Sequence, residues 1–360
     1  MSDDEQTNID FTVIIPCANE EKYIVHMLED VCTQTAFSNF TGEIIIADGE
    51  STDNTIVKIN QVIAEQNLSI KVVNNPERHV SPGLNKAIKM SQGRFIVRMD
   101  VHARYKNDYI DILLQYIMKN PKCGNVGFPV KTLPGDSTPT AVAIAEVISH
   151  PLGVGNSTFR TGNLLEPISV DTVPFGCFRA SLFDEIGFFD LELIRNQDDE
   201  FNNRIRLAGY DVILLPCTGV EYYGRDTFSK LRAMYYQYGL FKPLVGKKLG
   251  RVMTLRQLVP PALVFFIISL IFLTALSPWF LLFYLAGGGC YCAAGVYIAK
   301  QARRISLLEC SNQNRSLGGV KWPYVAFALL LVHVSYGFGY LRGALILLTK
   351  RNFSINRLSR

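Results

Sequence analysis

The chain lacks charged side chains over one long interval and has few of them overall. No Asp, Glu, Lys, Arg or His occurs at 257–299. Charged residues make up 19% of the 360 residues, below the roughly 25% usual for soluble domains. One bilayer crossing needs about 20 apolar residues, so the interval is long enough for two. Ser277-Pro278 divides it where a hairpin requires a helix-breaking turn, whereas two soluble core helices would rarely lack charge on every face.

Acidic residues are almost missing from the last third of the chain. Residues 241–360 contain 15 Lys and Arg and one acid, Glu309, whereas residues 1–240 contain 21 Lys and Arg and 31 Asp and Glu. The net charge of +4 therefore averages an acidic part and a basic part. An evenly basic nucleic-acid-binding protein would not be divided this way, so we expect no nucleic-acid partner. The pattern predicts a cytoplasmic domain over 1–240 and a basic interfacial segment with a membrane anchor over 241–360.

Basic residues flank the charge-free interval on both sides and are missing from its central turn. The positive-inside rule puts both flanks in the cytoplasm, with spans at about 257–277 and 279–299. A third apolar stretch, 323–349, contains Arg342 and precedes a basic tail. We expect it to cross as well, with a re-entrant or interfacial segment as the alternative, because a third crossing would export the tail. The flanks contain Lys242, Lys247, Lys248, Arg251 and Arg256, then Lys300, Arg303, Arg304, Arg315 and Lys321, and the tail contains Lys350, Arg351, Arg357 and Arg360.

The sequence contains neither a CxxC pair nor a secretory apolar segment. The only close pair among its eight cysteines, Cys290 and Cys292, lies in an apolar run, and a disulfide framework or a zinc knuckle would need tighter spacing, which predicts reduced thiols. The acidic start MSDDEQTNID has no apolar h-region, so we expect the first part of the chain to stay in the cytoplasm. The cysteines are Cys17, Cys32, Cys123, Cys177, Cys217, Cys290, Cys292 and Cys310.

The first 130 residues alternate short β-branched runs with helical patterns. Such alternation predicts a parallel sheet covered by helices on both faces. Ser81 is the expected N-cap of the third helix, with Pro82 at its first position. The predicted strands are 11–16, 43–48, 70–75 and 94–100, and the predicted helices are 20–34, 53–66 and 82–92.

Polar residues follow three of the predicted strands, at 16–20, 48–53 and 100–102. Ligands of parallel sheets bind beyond the carboxyl ends of the strands, so these residues are candidates for a site. Acids gathered at one edge suit a divalent cation and the donor groups of a base or ribose. The chain has no GxGxxG after its first strand and no GxxxxGK[ST], which argues against a dinucleotide site and a P-loop.

Four motifs in this order resemble those of inverting family-2 glycosyltransferases with the GT-A fold: PCANEE, ADGESTD, RMDVHARY and NQDDEFNNRIRLAGY. Three further segments, HPLGVGNSTFRTG, VPFGCFRASLFDEIGFFD and YYGRDTFSKLRAMYYQYG, are similar to the membrane-anchored branch that builds bacterial exopolysaccharides such as succinoglycan. The resemblance covers residues 10–242. It implies an α/β GT-A fold, with a Rossmann-like, mostly parallel sheet and flanking helices, followed by transmembrane helices.

The resemblance implies a donor site at the strand ends. Asp48 would contact the nucleotide base or ribose, although Asp48-Gly49 alone reads as a simple turn before a helix capped by Ser51 to Asp53. The implied nucleotide-sugar-binding residues are Pro16, Ala18, Glu20, Asp48 and Asp100.

Asp100 and His102 stand where the family has its DxD signature, which implies a divalent metal, Mn²⁺ or Mg²⁺. Positions 100 and 102 of an extended segment face the same side, so both could contact one ion. Imidazole is a softer, neutral ligand and should favour Mn²⁺ relative to a two-carboxylate site. As alternatives, His102 could donate a hydrogen bond to a phosphate or be an ordinary strand-end histidine.

Three acids, Asp198, Asp199 and Glu200, open a predicted helix. Acids in a first turn stabilise a helix by about 0.3–1 kcal/mol each, which is their structural explanation. The resemblance makes Asp198 the catalytic base that takes the proton of the acceptor hydroxyl, with Asp199 as the rival assignment. Residues implied near the acceptor and the diphosphate are Asp199, Glu200, Arg225 and Gln237.

Gln237 begins the sequence QYGLF where processive synthases carry QxxRW, which favours addition of one sugar per encounter. The helix around it combines Tyr235, Tyr236, Tyr238 and Phe241 with basic residues. That composition suits a helix at a membrane surface, and an ordinary packed aromatic helix is the alternative.

The resemblance implies an inverting hexosyltransferase of cell-surface polysaccharide synthesis, on the cytoplasmic side of the inner membrane. Its donor would be a UDP-sugar or another nucleoside-diphosphate sugar, and its acceptor a polyprenyl-diphosphate-linked saccharide. A polyprenyl-phosphate sugar synthase is the enzymatic alternative, and it would need no base because a phosphate oxygen is already ionised. A membrane-bound nucleotide-sugar sensor or scaffold is the non-enzymatic alternative.

Overall fold

The computed structural model describes residues 9–66, 68–155, 157–162, 164–216, 219–251, 254–309, 320–351 and 353, without side chains at 305–309. The acidic start at 1–8 and the predicted features at Cys217, Cys310, Arg315, Arg357 and Arg360 lie outside the described residues. The chain divides into two compact units. The first comprises 1–130 and 162–222, and the second comprises 131–161 and 223–360.

The main sheet of the first unit has eight strands in the order β3-β2-β1-β4-β9-β6-β10-β8. Six of these strands run in one direction, whereas β9 and β8 are antiparallel to their neighbours. Outside this sheet, β5 pairs antiparallel with β11. The strands of the chain are β1 (Phe11–Cys17), β2 (Gly42–Asp48), β3 (Ser69–Asn74), β4 (Phe95–Arg98), β5 (Ala103–Tyr105), β6 (Cys123–Gly127), β7 (Val130–Leu133), β8 (Ile168–Ser169), β9 (Cys177–Arg179), β10 (Asp211–Leu214) and β11 (Val220–Tyr223).

The helices are distributed over both units. Those of the first unit are α1 (Ile24–Cys32), α2 (Ala36–Asn39), α3 (Thr55–Glu65), α4 (Val80–Met90), α5 (Tyr109–Lys119), α9 (Ser181–Glu185) and α10 (Gln197–Leu207). Those of the second unit are α6 (Pro139–Ile148), α7 (Pro151–Val154), α8 (Thr158–Thr161), α11 (Phe228–Leu249), α12 (Val259–Leu276), α13 (Leu281–Glu309) and α14 (Trp322–Leu348), with 3₁₀ turns at Leu255–Leu258 and Pro278–Phe280.

The central strands are apolar on both faces, as expected where helices cover both sides of a sheet. Val13, Ile14 and Ile15 of β1 are fully buried, and so are Ile44 to Ile46 of β2. The register pairs Ile14 with Ile45 and Cys17 with Asp48, so β1 and β2 end at the same edge. These observations confirm the predicted α/β architecture and bring the polar strand ends to one edge of the sheet.

Two local predictions about the first unit are wrong. Ser81 does not cap α4, because the helix begins at Val80 after His79 and the Ser81 hydroxyl donates to the Leu193 carbonyl at 3.1 Å. Strand β4 ends at Arg98, and residues 101 and 102 form a turn. The extended geometry assumed for positions 100 and 102 is therefore absent.

The second unit contains three helices long and apolar enough to cross a membrane: Leu255–Leu276, Pro278–Arg304 and Trp322–Leu348. They match the three apolar stretches predicted from the sequence. The most apolar windows of the first two helices are only 17% and 11% buried inside the protein, compared with 44% for the third. The first two therefore expose apolar surface as a lipid-facing hairpin would, whereas the third is partly covered by protein.

The backbones of helices α11 and α14 are in contact where each helix has a glycine. A Cβ at Gly239 would collide with the Tyr336 carbonyl, and one at Gly339 would collide with the Tyr236 carbonyl. Because α11 packs on α14, residues 223–240 belong to the helical unit, which differs from the predicted boundary at residue 240. Phe241 is fully buried in this packing, as expected for the packed aromatic helix rather than a helix lying on a membrane.

Candidate active site

Asp48 is the last residue of β2 and is 6% exposed. Its carboxylate accepts hydrogen bonds from the amide and hydroxyl of Ser51, at 3.0 and 2.5 Å. The Cys17 thiol donates to it at 3.7 Å, and burial together with the Asp48 charge raises the pKa of that thiol far above its usual range. Cys17 therefore stays protonated, and Asp48 is held in a fixed orientation at the strand end.

The loop after β1 is tied to the loop after β2. Asn19 donates its amide to the Ser51 hydroxyl at 2.8 Å and accepts the Thr52 amide at 2.7 Å. Asp53 accepts hydrogen bonds from the amide of Thr55 at 3.0 Å and from its hydroxyl at 2.5 Å. Slight burial raises the pKa of Asp53, but its hydrogen bonds outweigh this effect, so the pKa is lowered. Asp53 thus bonds the first residue of α3 and Asp48 lies at the strand end, as the turn-and-helix interpretation predicts, and the contact of Asp48 with a nucleotide stays a prediction.

His102 contacts the loop after β1. Its Nε2 lies 3.0 Å from Oε1 of Glu20, and its ring meets the Tyr23 ring edge-on at 4.9 Å. Pro16 pairs with Ala47 at the end of β1, and Ala18 is buried against Gly49. The structure therefore brings the residues predicted for the donor site together at one edge.

Arg98 connects Asp100 with Asp198. Its Nε and Nη2 donate to the two carboxylate oxygens of Asp100 at 3.2 and 3.3 Å, and its Nη1 donates to Oδ1 of Asp198. The Arg98 side chain is 4% exposed, whereas the two carboxylates are 28% and 27% exposed. A buried cation thus joins two partly accessible acids from segments almost 100 residues apart in sequence.

Burial and the charges of this cluster together raise the pKa of Asp198. Burial raises the pKa of Asp198 to about 6, Arg98 opposes this rise, and the negative charges of Asp100 and Asp199 add to it. Burial alone would lower the pKa of Arg98, but the two carboxylates raise it above its ordinary value, so Arg98 remains a cation. A carboxylate with a pKa near 6 is ionised at neutral pH and remains a usable proton acceptor.

The other residues predicted near the acceptor are Asp199, Glu200, Arg225 and Gln237, and Glu200 has a well-defined partner. Glu200 is 4% exposed and is held by Arg204 through two hydrogen bonds at 2.7 and 2.9 Å. Arg204 also donates to the carbonyls of Ile186 and Phe188, so Glu200 is held through Arg204 to the segment before α10. Asp199 accepts the Asn203 side-chain amide on its backbone carbonyl. Arg225 and Gln237 lie in the second unit, where Gln237 is buried on α11.

Backbone strain is concentrated in the loops that carry this site. Six described non-glycine residues have a positive φ, and one of them, Lys350, lies at the end of the last helix. The other five precede or follow strand ends or begin α10: Asn19, Glu50, Arg78, Phe175 and Asn196. Such conformations cost about 1–3 kcal/mol each and persist where the surrounding structure enforces them, typically at functional sites.

The side chains at this edge determine whether it could hold a divalent cation. Within the described residues, no three His, Cys, Asp or Glu side chains are grouped so as to hold a metal. Asp100 and His102 are nevertheless both partly exposed. This donor set fits an ion held by one or two protein ligands together with substrate phosphates, a common arrangement for Mg²⁺.

Comparisons with known proteins show what this chain is similar to. The model of "Glycosyl transferase family 2" matches residues 12–187. A Methanococcus voltae protein, "Dolichyl N-acetyl-alpha-D-glucosaminyl phosphate 3-beta-D-2,3-diacetamido-2,3-dideoxy-beta-D-glucuronosyltransferase", is 30% identical over 66% of this chain and 74% of its own length. The chain belongs to glycosyltransferase family 2. This family-2 chain is also 28% identical to "Succinoglycan biosynthesis protein ExoA" of Rhizobium meliloti, over 73% of this chain and 78% of that protein.

A solved structure confirms the fold of the family-2 chain. It is that of "Mannosyltransferase PcManGT from Pyrobaculum calidifontis in complex with GDP-Man and Mn2+". The likeness has a TM-score of 0.55 at 18% identity and covers 96% of this chain and 88% of the other. The GT-A-like architecture predicted from the motifs is thereby confirmed.

Proposed function

We propose that the protein is an inverting hexosyltransferase that uses a nucleoside-diphosphate sugar, with UDP as the expected nucleotide. The observation that carries the proposal is the pair of partly accessible carboxylates, Asp100 and Asp198, held together by Arg98 at the carboxyl edge of the sheet. One carboxylate would face the donor diphosphate, and the other would face the acceptor. Asp48, fixed at the end of β2, would contact the base or ribose.

In the proposed reaction, Asp198 accepts the proton of the acceptor hydroxyl as that oxygen attacks the anomeric carbon. The attack comes from the face opposite the leaving diphosphate, so the configuration inverts. Asp198 is ionised at neutral pH, as a general base must be. Asp100 and His102 would hold a divalent cation, which supplies electrostatic stabilisation of the departing diphosphate.

The acceptor we propose is a polyprenyl-diphosphate-linked saccharide. Relatives support this class, since one is named for succinoglycan synthesis and another for transfer to a dolichyl phosphate sugar. A sugar hydroxyl needs a base, which Asp198 provides, whereas the phosphate nucleophile of a polyprenyl-phosphate sugar synthase does not. The presence of a suitable base therefore favours the saccharide acceptor over that alternative.

We also propose that the α12–α13 hairpin crosses the inner membrane and that the sugar-transfer unit is cytoplasmic. Exposed apolar residues such as Phe272, Leu276 and Trp279 lie along the hairpin and at its turn.

Helix α14 instead packs on α11, which carries exposed Lys247 and Lys248, so we propose that α14 does not cross fully. An impermeant thiol reagent should label an Arg351→Cys variant, made without other cysteines, only from the cytoplasmic side. Labelling from the other side would establish a third crossing.

The test of function is transfer by the purified full chain in lipid nanodiscs. With Mn²⁺, UDP- and GDP-hexoses are offered with a polyprenyl-diphosphate saccharide or with polyprenyl phosphate alone, and the released nucleoside diphosphate and the lipid product are measured. Product with the saccharide only supports the proposal, and product with polyprenyl phosphate alone supports the synthase. No release with any pair, despite nucleotide binding, would support the sensor.

A further inference from the structure

Arg98 is the buried cation of the site, and its backbone is fixed on both sides. It is the last residue of β4, where it pairs with Ile14 of β1. Its amide donates to the Gly176 carbonyl at 3.0 Å, and a Cβ at Gly176 would collide with the Asn125 side chain. The guanidinium lies 5.7 Å from the Phe175 ring centre. The backbone of Arg98 is therefore held by β1 on one side and by the segment before β9 on the other.

The donors of Arg98 are divided between two acids. One edge of the guanidinium forms a fork on Asp100, and the remaining corner donates to Asp198. Asp198 is in the first turn of α10, after Asn196, whose φ is 64°. Because a guanidinium is planar and rigid, these contacts set the separation and orientation of the two carboxylates.

An ion pair that only stabilised the fold would not need a buried guanidinium between two accessible carboxylates. Buried ion pairs often contribute little net stability, because desolvation offsets their attraction. Here the acids keep more than a quarter of their side-chain surface accessible while the cation is enclosed. The accessible carboxylate atoms can meet a ligand, whereas Arg98 acts only on the acids.

We propose that Arg98 is a positioning residue that holds Asp198 at the distance from Asp100 that transfer requires. The inference rests on the proposed function and adds to it a residue that touches neither sugar nor acceptor. A displacement of about 1 Å of a reacting group can cost on the order of 100-fold in rate. Arg98 should therefore affect kcat far more than nucleotide affinity.

The experiment compares Arg98→Met and Arg98→Lys with Arg179→Met. Arg179 is the matched control, because its guanidinium also lies 5.7 Å from a phenylalanine ring, that of Phe95 at the opposite end of β4, and it donates only to backbone carbonyls. For each variant, we would measure kcat, donor KM, the dissociation constants of UDP and GDP with Mn²⁺, and thermal unfolding.

The expected kcat is about 100-fold lower for Arg98→Met and about tenfold lower for Arg98→Lys, whose single ammonium cannot form the fork. Donor KM and nucleotide dissociation constants should stay within about threefold, and Arg179→Met should lose stability but not kcat. Equal losses of kcat and nucleotide affinity, or a kcat for Arg98→Lys equal to wild type, would overturn the proposal. If Arg98→Met does not fold, Arg98→Lys decides alone.

The two proposals fail differently in this experiment. A wild-type protein that transfers no sugar from any donor removes the proposed function, and the role of Arg98 is lost with it. Wild-type transfer that Arg98→Lys leaves unchanged removes only the positioning role. Partial rescue by Lys relative to Met, at constant nucleotide affinity, supports both.

Discussion

His102 and Glu20 lie side by side, with 3.0 Å between Nε2 and Oε1. The pair joins the turn after β4 to the loop after β1. If His102 helps to hold a divalent cation, Glu20 is the carboxylate beside it. The position where the family signature has its second acid is therefore a histidine in this chain, and a carboxylate lies beside it.

The preference of the enzyme for Mn²⁺ or Mg²⁺ tests whether His102 contacts the metal ion. We expect His102→Asp to lower the ratio of Mn²⁺-supported to Mg²⁺-supported activity several-fold, because a carboxylate suits Mg²⁺ better than imidazole does. The measurement is initial rate at saturating donor over a titration of each metal. His26→Asp is the control, since His26 is exposed on α1 beside Glu29. An unchanged metal ratio in His102→Asp would argue that His102 contacts no metal.

The base assignment is tested by Asp198→Asn. We expect kcat to fall by at least about 1,000-fold, because an amide cannot accept the hydroxyl proton, while nucleotide-sugar binding changes by less than about threefold. Single-turnover assays and calorimetry with the same donor give the two values. Asp211→Asn, which changes an exposed acid at the start of β10, should keep full turnover. Retention of a tenth of the wild-type kcat by Asp198→Asn would exclude Asp198 as the base.

The pH dependence of transfer follows from the raised pKa of Asp198, which is about 6. The active form is the carboxylate, so kcat should rise about tenfold per pH unit below 6 and level off above it. The negative charge of Asp199 contributes to the raised pKa. In Asp199→Asn, the acidic limb should therefore move to lower pH, whatever the height of the plateau. An acidic limb that stays in place, or moves upward, would contradict this electrostatic explanation.

Much of the first unit could be predicted because its signals are local. The apolar runs around Ile14 and Ile45 and the acids after each strand specify a covered parallel sheet with polar ends. Strand β9 was not predicted, since its three residues, Cys177 to Arg179, carry no periodicity. Its position between β4 and β6 depends on pairing with residues far away in sequence.

The residues that the sequence interpretation missed have long-range partners. Arg98 was read only as part of a motif, because its link to Asp198 depends on how α10 is placed against β4. Ser81 had a local signal for capping, yet its hydroxyl bonds Leu193, 112 positions later. Glu200 is the exception, because its partner Arg204 lies four positions later on the same helix, at a spacing that the sequence shows. A pattern reports residue type and spacing, but not which distant group completes a hydrogen bond.

The contact between α11 and α14 gives a prediction about the helical unit. A Cβ at Gly339 would collide with the Tyr236 carbonyl, and backbone cannot yield as a flexible side chain can. Gly339→Ala should therefore lower the unfolding temperature in detergent, with a cost of about 1–3 kcal/mol, the usual range for overpacking. Gly288→Ala on α13 is the matched control, because nothing lies within 4 Å of its Cβ position. If both variants unfolded at the wild-type temperature, the close α11–α14 packing would be refuted.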